Sequence, residues 1–360
     1  MRTSAAQLHE AIRQGQVIRD IVIDSARYDA LDFSGGVFER VSFVNAGMTR
    51  ARFGDAVFNG CRFQRVDLTQ ADLTNCVFEQ CSLDDVCVAQ GNLNGCVMNA
   101  TQAAGTDFSG AQADGFSCIK SDLSDCRFHD GWIEAAVFCE TRLAGADFTR
   151  ADVRKAVFYQ LDLTQLRLAD ASFHDTVFAE SSLVGQQMRG QRMHRCQFVR
   201  ADLRDADFTA ANLAYCNFHG AKLSGARLDG VDAPFSIFYE ADGQGAACRD
   251  AALSDSIWVQ ADIRNVDFSG SKLDRAVLQH AQCNGTRFSR TSLEGSDFSY
   301  ANLTGAEFDD ACFARTGFHG AISPDIAWRA HPGAIERDQA LADAQAWSRR
   351  RDERSERDDR

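Results

Sequence analysis

Proline is scarce in this chain, three residues in 360, which leaves its 27 glycines as the punctuation. No run of about 18 apolar residues occurs, so no segment reads as a membrane-spanning helix. The 38 basic and 51 acidic side chains give a net charge of −13, without the basic footprint of a general nucleic-acid binder. Met1-Arg2-Thr3-Ser4 leads into no signal-like apolar region. The thirteen cysteines are therefore expected as reduced thiols of a cytoplasmic protein, with secretion independent of a signal peptide left open. No P-loop, GxGxxG, GxSxG or kinase-like sequence is present, and no CxxC, HExxH or Cys/His cluster has zinc spacing. The sequence thus predicts no catalytic residue, no cofactor and no metal.

What the chain has in excess is phenylalanine, 26 residues, and these keep a period of five. Phe33, Phe38, Phe43, Phe53, Phe58, Phe63, Leu68, Leu73 and Phe78 share one phase, and Phe308, Phe313 and Phe318 still hold it. Two residues before each such slot sits a small residue: Ala46, Ala51, Cys61, Ala146, Ala201, Ala301. Of the 27 glycines, 19 fall at positions divisible by five, the phase that lies two residues after a slot. A period of five leaves no fixed face on an α-helix, where it rotates the marked residue by about 140°. On an unbroken strand it would flip the marked residue from side to side. A short extended piece followed by a corner satisfies it, with the slot and the residue two before it both pointing inward. Glycine suits the corner because it tolerates backbone angles closed to other residues.

A second period, of twenty, counts the corners. One slot in four gives Phe38, Phe58, Phe78, Met98, Cys118, Phe138, Phe158, Phe178, Phe198, Phe218, Phe238, Trp258, Leu278, Phe298 and Phe318, whereas the column from Ile23 is mostly leucine. Four units therefore close a coil, and the pattern predicts about fifteen coils over residues 21–320. Ala201-Asp202-Leu203-Arg204-Asp205-Ala206-Asp207-Phe208 and Ala301-Asn302-Leu303-Thr304-Gly305-Ala306-Glu307-Phe308 match the A-[DN]-[LF]-x-x motif, and the chain resembles the pentapeptide-repeat proteins over about residues 21–320. The resemblance implies an all-β solenoid, a right-handed quadrilateral parallel β-helix.

Both ends of a solenoid need covering. Residues 1–20 read as an N-terminal cap. Ser4 with Gln7 forms a capping-box pattern, a helix is expected over 5–14, and Gly15 stops it. Residues 321–360 read as a C-terminal helical cap and charged tail. A short helix is expected at Ser323-Pro324 and a second over about 334–350. The apolar stripe of that second helix, Ala340, Leu341, Ala344 and Trp347, could lid the last coil or pair two rods, and the run from Arg349 to Arg360 is expected to be disordered. Poor slots mark three stretches, 99–118, 184–195 and 229–252, as loops or weak coils; Gln186 and Gln191 also stand at the small inward position. Cys61, Cys76, Cys81, Cys96, Cys126, Cys196 and Cys216 occupy that position as small buried fillers. His129, His174, His194, His219 and His319 are placed on the outer surface.

One outer column differs from the rest. Just before the phenylalanine column stand Val37, Val57, Val77, Val97, Val137, Val157, Val177, Ile237, Ile257 and Val277, ten of fifteen positions, flanked by Tyr159, Val199, Tyr239 and Val259. Sheet propensity accounts for such residues on any face, but it should act on all four, so an apolar contact stripe is the competing reading. Val37, Val57, Val77, Val137, Val157, Tyr159, Val177, Ile237, Tyr239, Ile257 and Val259 are the candidate partner face. The expected function is a non-enzymatic protein-binding scaffold that joins a protein partner, or a second copy, through this face or the C-terminal helix. No direct nucleic-acid binding is expected. General resemblance suggests the type VI secretion-associated group. Two alternatives follow from the same family: a DNA-mimicking, gyrase- or topoisomerase-binding protein of the quinolone-resistance kind, and a secreted bacterial effector. Against mimicry, the column Arg27, Gly47, Asp67, Cys87, Asp107, Arg127, Asp147, Arg167 mixes signs, as salt bridges between neighbouring coils would require.

Overall fold

A computed structural model describes residues 5–358. The chain divides into two compact units, Met1–Asn217 and Phe218–Arg360. Each contains a parallel β-solenoid whose paired residues in successive coils stand twenty positions apart. In the first unit Phe38 aligns with Phe58 and Phe58 with Phe78; in the second, Ile237 aligns with Ile257 and Ile257 with Val277. The four sides of a coil are called here faces A, B, C and D, carrying the slots in line with Ile23, Tyr28, Phe33 and Phe38.

The predicted corners are real, and glycine is optional at them. Positions divisible by five take the left-handed conformation whether they hold Gly60 (φ 60°), Arg40 (φ 52°), Asp55 (φ 60°) or Phe235 (φ 59°). Such a backbone costs a non-glycine residue about 1 kcal/mol. The corner N–H recovers part of this by joining the coil ladder, as in Arg40 N–H to the Asn59 carbonyl (2.8 Å) and Asp55 N–H to that of Thr74 (2.8 Å).

Phenylalanines fill the core by stacking along each column. On face D of the first unit the rings of Phe38 and Phe58 lie 5.0 Å apart, Phe58 and Phe78 4.8 Å, and Phe138 and Phe158 4.8 Å. In the second unit Phe218 and Phe238 lie 4.8 Å apart, and Phe298 and Phe318 5.1 Å. Face D of the first unit is also its most regular sheet, eight parallel strands from Ile18–Arg19 to Val157–Tyr159.

Two of the three poor stretches remain ordinary coils. In the first, Phe116 stands at the small position and Cys118 at the slot, and both are buried. The exchange of large for small conserves volume, which cores tolerate best. Around 229–252 the coils continue, and Trp258 stacks on Phe238 at 3.9 Å. The stretch at 184–195 is the one that loosens, as described below.

The N-terminal helix, α1 (Ala5–Arg13), buries Leu8 against the start of the solenoid and ends at Gly15, whose N–H reaches the Ile12 carbonyl. Ser4 lies outside the described residues. The C-terminal end corrects several expectations. The short helix is a 3-10 turn at Trp328–Ala330, not at Pro324. Ala334–Ile335 adds a strand beside Thr316–Gly317, and α2 runs from Gln339 to Asp358, so backbone expected to be disordered is helical. The lid over the last slots is Trp328, stacked 3.7 Å from Phe318 and edge-on to Phe308 at 5.6 Å. α2 buries Ala342, whereas Leu341 and Trp347 of the expected lid stripe are exposed. Gly333 is obligatory in this turn: φ is +89°, and a Cβ would collide with the Phe313 carbonyl.

Candidate functional site

The valine column is a single row in register on the outside of face D. Val37, Val57, Val77 and Val97 pair in sequence, and Ser117, Val137, Val157 and Val177 continue the row. Their side chains alternate with buried slots, so each is half-buried, with Val137 36% exposed. Tyr159, at 39%, stands in the neighbouring row, aligned with Cys139. That row is apolar from Ile119 through Cys139, Tyr159 and Ala179 to Val199. The first unit thus carries a two-row patch, and Ile119, Cys139 and Ala179 are members that the sequence reading had not singled out. They were findable by sorting the positions one after each slot by twenty, as was done for those one before. In the second unit Ile237, Ile257 and Val277 form a row, with Tyr239 and Val259 beside it; Ile257 is 37% exposed.

The remaining faces are laced by ion pairs between neighbouring coils. Arg52 meets Asp32 at 2.7 Å, Arg127 meets Asp107 at 3.1 Å, Arg142 meets Asp122 at 2.8 Å, Arg249 meets Asp229 at 2.9 Å and Arg275 meets Asp255 at 2.7 Å. Arg150 clamps Asp130 with two bonds of 2.7 Å, and with His129 it draws that carboxyl down to about 2. Arg249 likewise holds the Asp229 carboxyl below the usual carboxylate range. A second feature missed in the sequence lies on face C, where Trp132 is 40% exposed beneath the Arg154 guanidinium at 4.4 Å.

The cysteines expected as fillers are buried and free, and they also act as donors. The Cys61, Cys76, Cys81 and Cys126 thiols reach the carbonyls of Phe38, Phe53, Phe58 and Ala103, each 23 residues earlier, at 3.0–3.3 Å. Thr101, Ser121 and Thr291 hydroxyls make the same bond to Phe78, Met98 and Phe268. His129, His174, His194 and His219 face outward as expected. His319 does not: it is buried beneath α2, its Nδ1 accepting the Asp338 N–H at 3.2 Å.

Among the described residues no group of three or more His, Cys, Asp or Glu side chains is placed to hold a metal ion, and no helix is long and apolar enough to cross a membrane. A cavity of about 680 Å³ lies between α2 and the last coil, where Phe318, His319, Trp328, Arg337 and Gln345 line it.

The family described as pentapeptide repeats matches in eight copies, over residues 61–99, 121–160, 192–230, 244–279 and 276–315, more than half of the chain. The chain belongs to the pentapeptide-repeat family. None of the curated proteins matches it. Among solved structures, this repeat protein is similar to a trypsin-treated form of QnrB1, a plasmid-mediated fluoroquinolone resistance protein, at 19% identity over 60% of this chain and 91% of that one, TM-score 0.40. HetL, a pentapeptide-repeat protein involved in heterocyst differentiation regulation in the cyanobacterium Nostoc sp. strain PCC 7120, is 17% identical over 91% of this chain and 99% of its own, TM-score 0.21. The A-module of the Azotobacter vinelandii mannuronan C-5 epimerase AlgE4 is 9% identical over 92% and 95%, TM-score 0.27.

Proposed function

We propose that this repeat protein is a non-enzymatic binding scaffold that docks protein on face D of each unit, through Val37, Val57, Val77, Val137, Val157, Tyr159 and Val177 in the first and through Ile237, Tyr239, Ile257 and Val259 in the second. The observation that carries the reading is the apolar row of the second unit. There Ile237, Ile257 and Val277 sit at isolated bridges, not in strands, so the propensity of β-branched residues for regular sheet does not account for them. An exposed apolar stripe rimmed by charge is the usual mark of a contact surface. The cytoplasm, which keeps thirteen free cysteines reduced, is the proposed place of action, and an accessory role in type VI secretion is the proposed setting.

DNA mimicry is less favoured. A mimic must present rows of uncompensated carboxylates, and here Asp32, Asp122, Asp229 and Asp255 are each neutralised by an arginine one coil away. The test is a pull-down from native-host lysate with wild type and a Val157→Lys, Val177→Lys, Ile237→Lys variant. A specific protein retained by wild type alone is the expected result, and a second copy of the chain would emerge from the same comparison. Gyrase subunits retained equally by both would instead move the site to the acidic faces. Every association surviving the three charges would end the face-D reading.

A further inference from the structure

Between residues 140 and 190 the coil ladder breaks twice. On face A the bridges run from Gln102 to Asp122 to Arg142 and resume from Asp162 to Ser182, but none joins Arg142 to Asp162. On face B, Asp147 bridges Arg167 and Gln187 bridges Asp207, but Arg167 and Gln187 are not joined. The backbone agrees. In the earlier coils of the unit most slot and corner N–H groups donate to the next coil, as Phe53 does to Asp72 and Asp55 to Thr74, both at 2.8 Å; Leu143, Gly145, Gln165, Leu168 and Asp170 make no such bond. A cleft of about 250 Å³ opens beside Arg142, Leu143 and Asp162, and one of about 320 Å³ beside Asp170, Arg189 and Gln191.

The cause can be read from side-chain size. Leu161, Leu166, Gln186 and Gln191 all occupy the small inward position, and all are buried. Their slots, Leu163, Leu168, Met188 and Met193, keep their full size, so nothing compensates as Cys118 does for Phe116. The two glutamines make the bond that a short cysteine, serine or threonine makes elsewhere. Gln186 Nε2 donates to the Leu163 carbonyl (2.8 Å) and Gln191 Nε2 to that of Leu168 (2.5 Å), each 23 residues earlier, but with a longer arm. Gln186 also splices its amide into the gap, donating to the Leu166 carbonyl (3.1 Å) and accepting the Gln187 N–H (2.9 Å). Gln191 Oε1 is left buried without a partner.

Faces C and D are closed over the same coils. Asp152, Ser172 and Arg192 pair in register, as do Val137, Val157 and Val177, and Phe158, Phe178 and Phe198 stack at 5.3 and 5.1 Å. We propose that this wedge is a hinge: the first unit flexes by opening and closing its coils on faces A and B about the intact sheets of faces C and D. A packed sheet bends where bonds are missing on one side and kept on the other. Because face B lies opposite face D, opening the wedge draws face D inward at Val137, Val157 and Val177. The wedge itself holds none of the residues assigned to partner binding, whereas Val137, Val157 and Val177 lie in the intact sheet about which it flexes.

Amide hydrogen exchange on the full chain tests it without any partner. Unbonded amides in the wedge exchange fast whether or not it moves, so the informative groups are the bonded ones at its margins: Leu163 to Ser182, Arg167 to Ala146, and Ser182 to Leu161. Local opening should make these exchange at least about a hundredfold faster than Phe158 and Val177 on face D. Margin amides as slow as those of face D would mean a static gap and overturn the proposal. A Gln186→Thr, Gln191→Thr variant keeps the donor on a shorter arm and should slow the margin amides at least about tenfold. Unchanged or faster exchange there would remove the glutamines as its cause and overturn the assignment.

Discussion

A single small residue per unit does two things in this fold. Cys76 fits where a larger side chain would part the coils, and its thiol gives the Phe53 carbonyl a second donor besides the Ala56 N–H. Size was legible from the alternation of Ala, Cys, Ser and Thr with Phe and Leu. The donor was not, because its partner lies 23 residues back and exists only once coil registry is known. Cys76→Thr should therefore be nearly neutral, whereas Cys76→Ala should cost about 1 kcal/mol by urea unfolding. Burial also silences these thiols. It pushes Cys76 and Cys126 up to about 12 and raises Cys96 and Cys118 as well. Only the thiolate reacts quickly with iodoacetamide. Native protein at pH 8 should label at exposed Cys312, more slowly at half-buried Cys87 and Cys139, and at the buried cysteines only in denaturant. Peptide mass spectrometry reads this directly, and native labelling of Cys76 or Cys126 would contradict it.

At the scale of the coil, neighbours twenty apart decide what each face carries. The sign mixture in the outer columns foretold pairs such as Asp130 with Arg150, and the two-bond clamp bears that out. The Arg150 bonds, aided by His129, depress the Asp130 carboxyl to about 2, so whatever stability the clamp adds is present above the ordinary carboxylate range. It is lost as pH falls from about 4 toward 2. Carbon NMR of the Asp130 carboxyl should show its midpoint near 2 in wild type and back among ordinary carboxylates in Arg150→Ala; no change on removing Arg150 would assign the depression to His129 instead. The fold and the candidate row were legible because both obey strict periods, five for the unit and twenty for the coil. The departures were less so. Phe116 and Cys118 look like a defect singly and are harmless as a pair, whereas Leu161 and Leu166 look unremarkable as leucines and become disruptive only by standing at the small position.

At the scale of the molecule, a solenoid differs from a globule in having ends that sequence must close. The phase of the slots carries no information about what covers Phe308, Phe313 and Phe318, which is why the lid was sought in the stripe of α2. Geometry gives that place to Trp328. A flat indole fixed by its Nε1 bond to Ser323 Oγ (2.8 Å) covers the last phenylalanines as another coil would. Ala334–Ile335 in turn pairs the open edge of Thr316–Gly317. Uncovered edges and core recruit other chains. Trp328→Asp, or truncation after Gly320, should therefore leave the inner coils folded by circular dichroism while mean mass in light scattering rises steeply with concentration, more so than for the full chain. Trp328→Phe keeps a flat ring and should behave as wild type. If the truncated protein matched the full chain in mass at every concentration, the end of the solenoid would need no cap, and α2 would be free to serve another purpose.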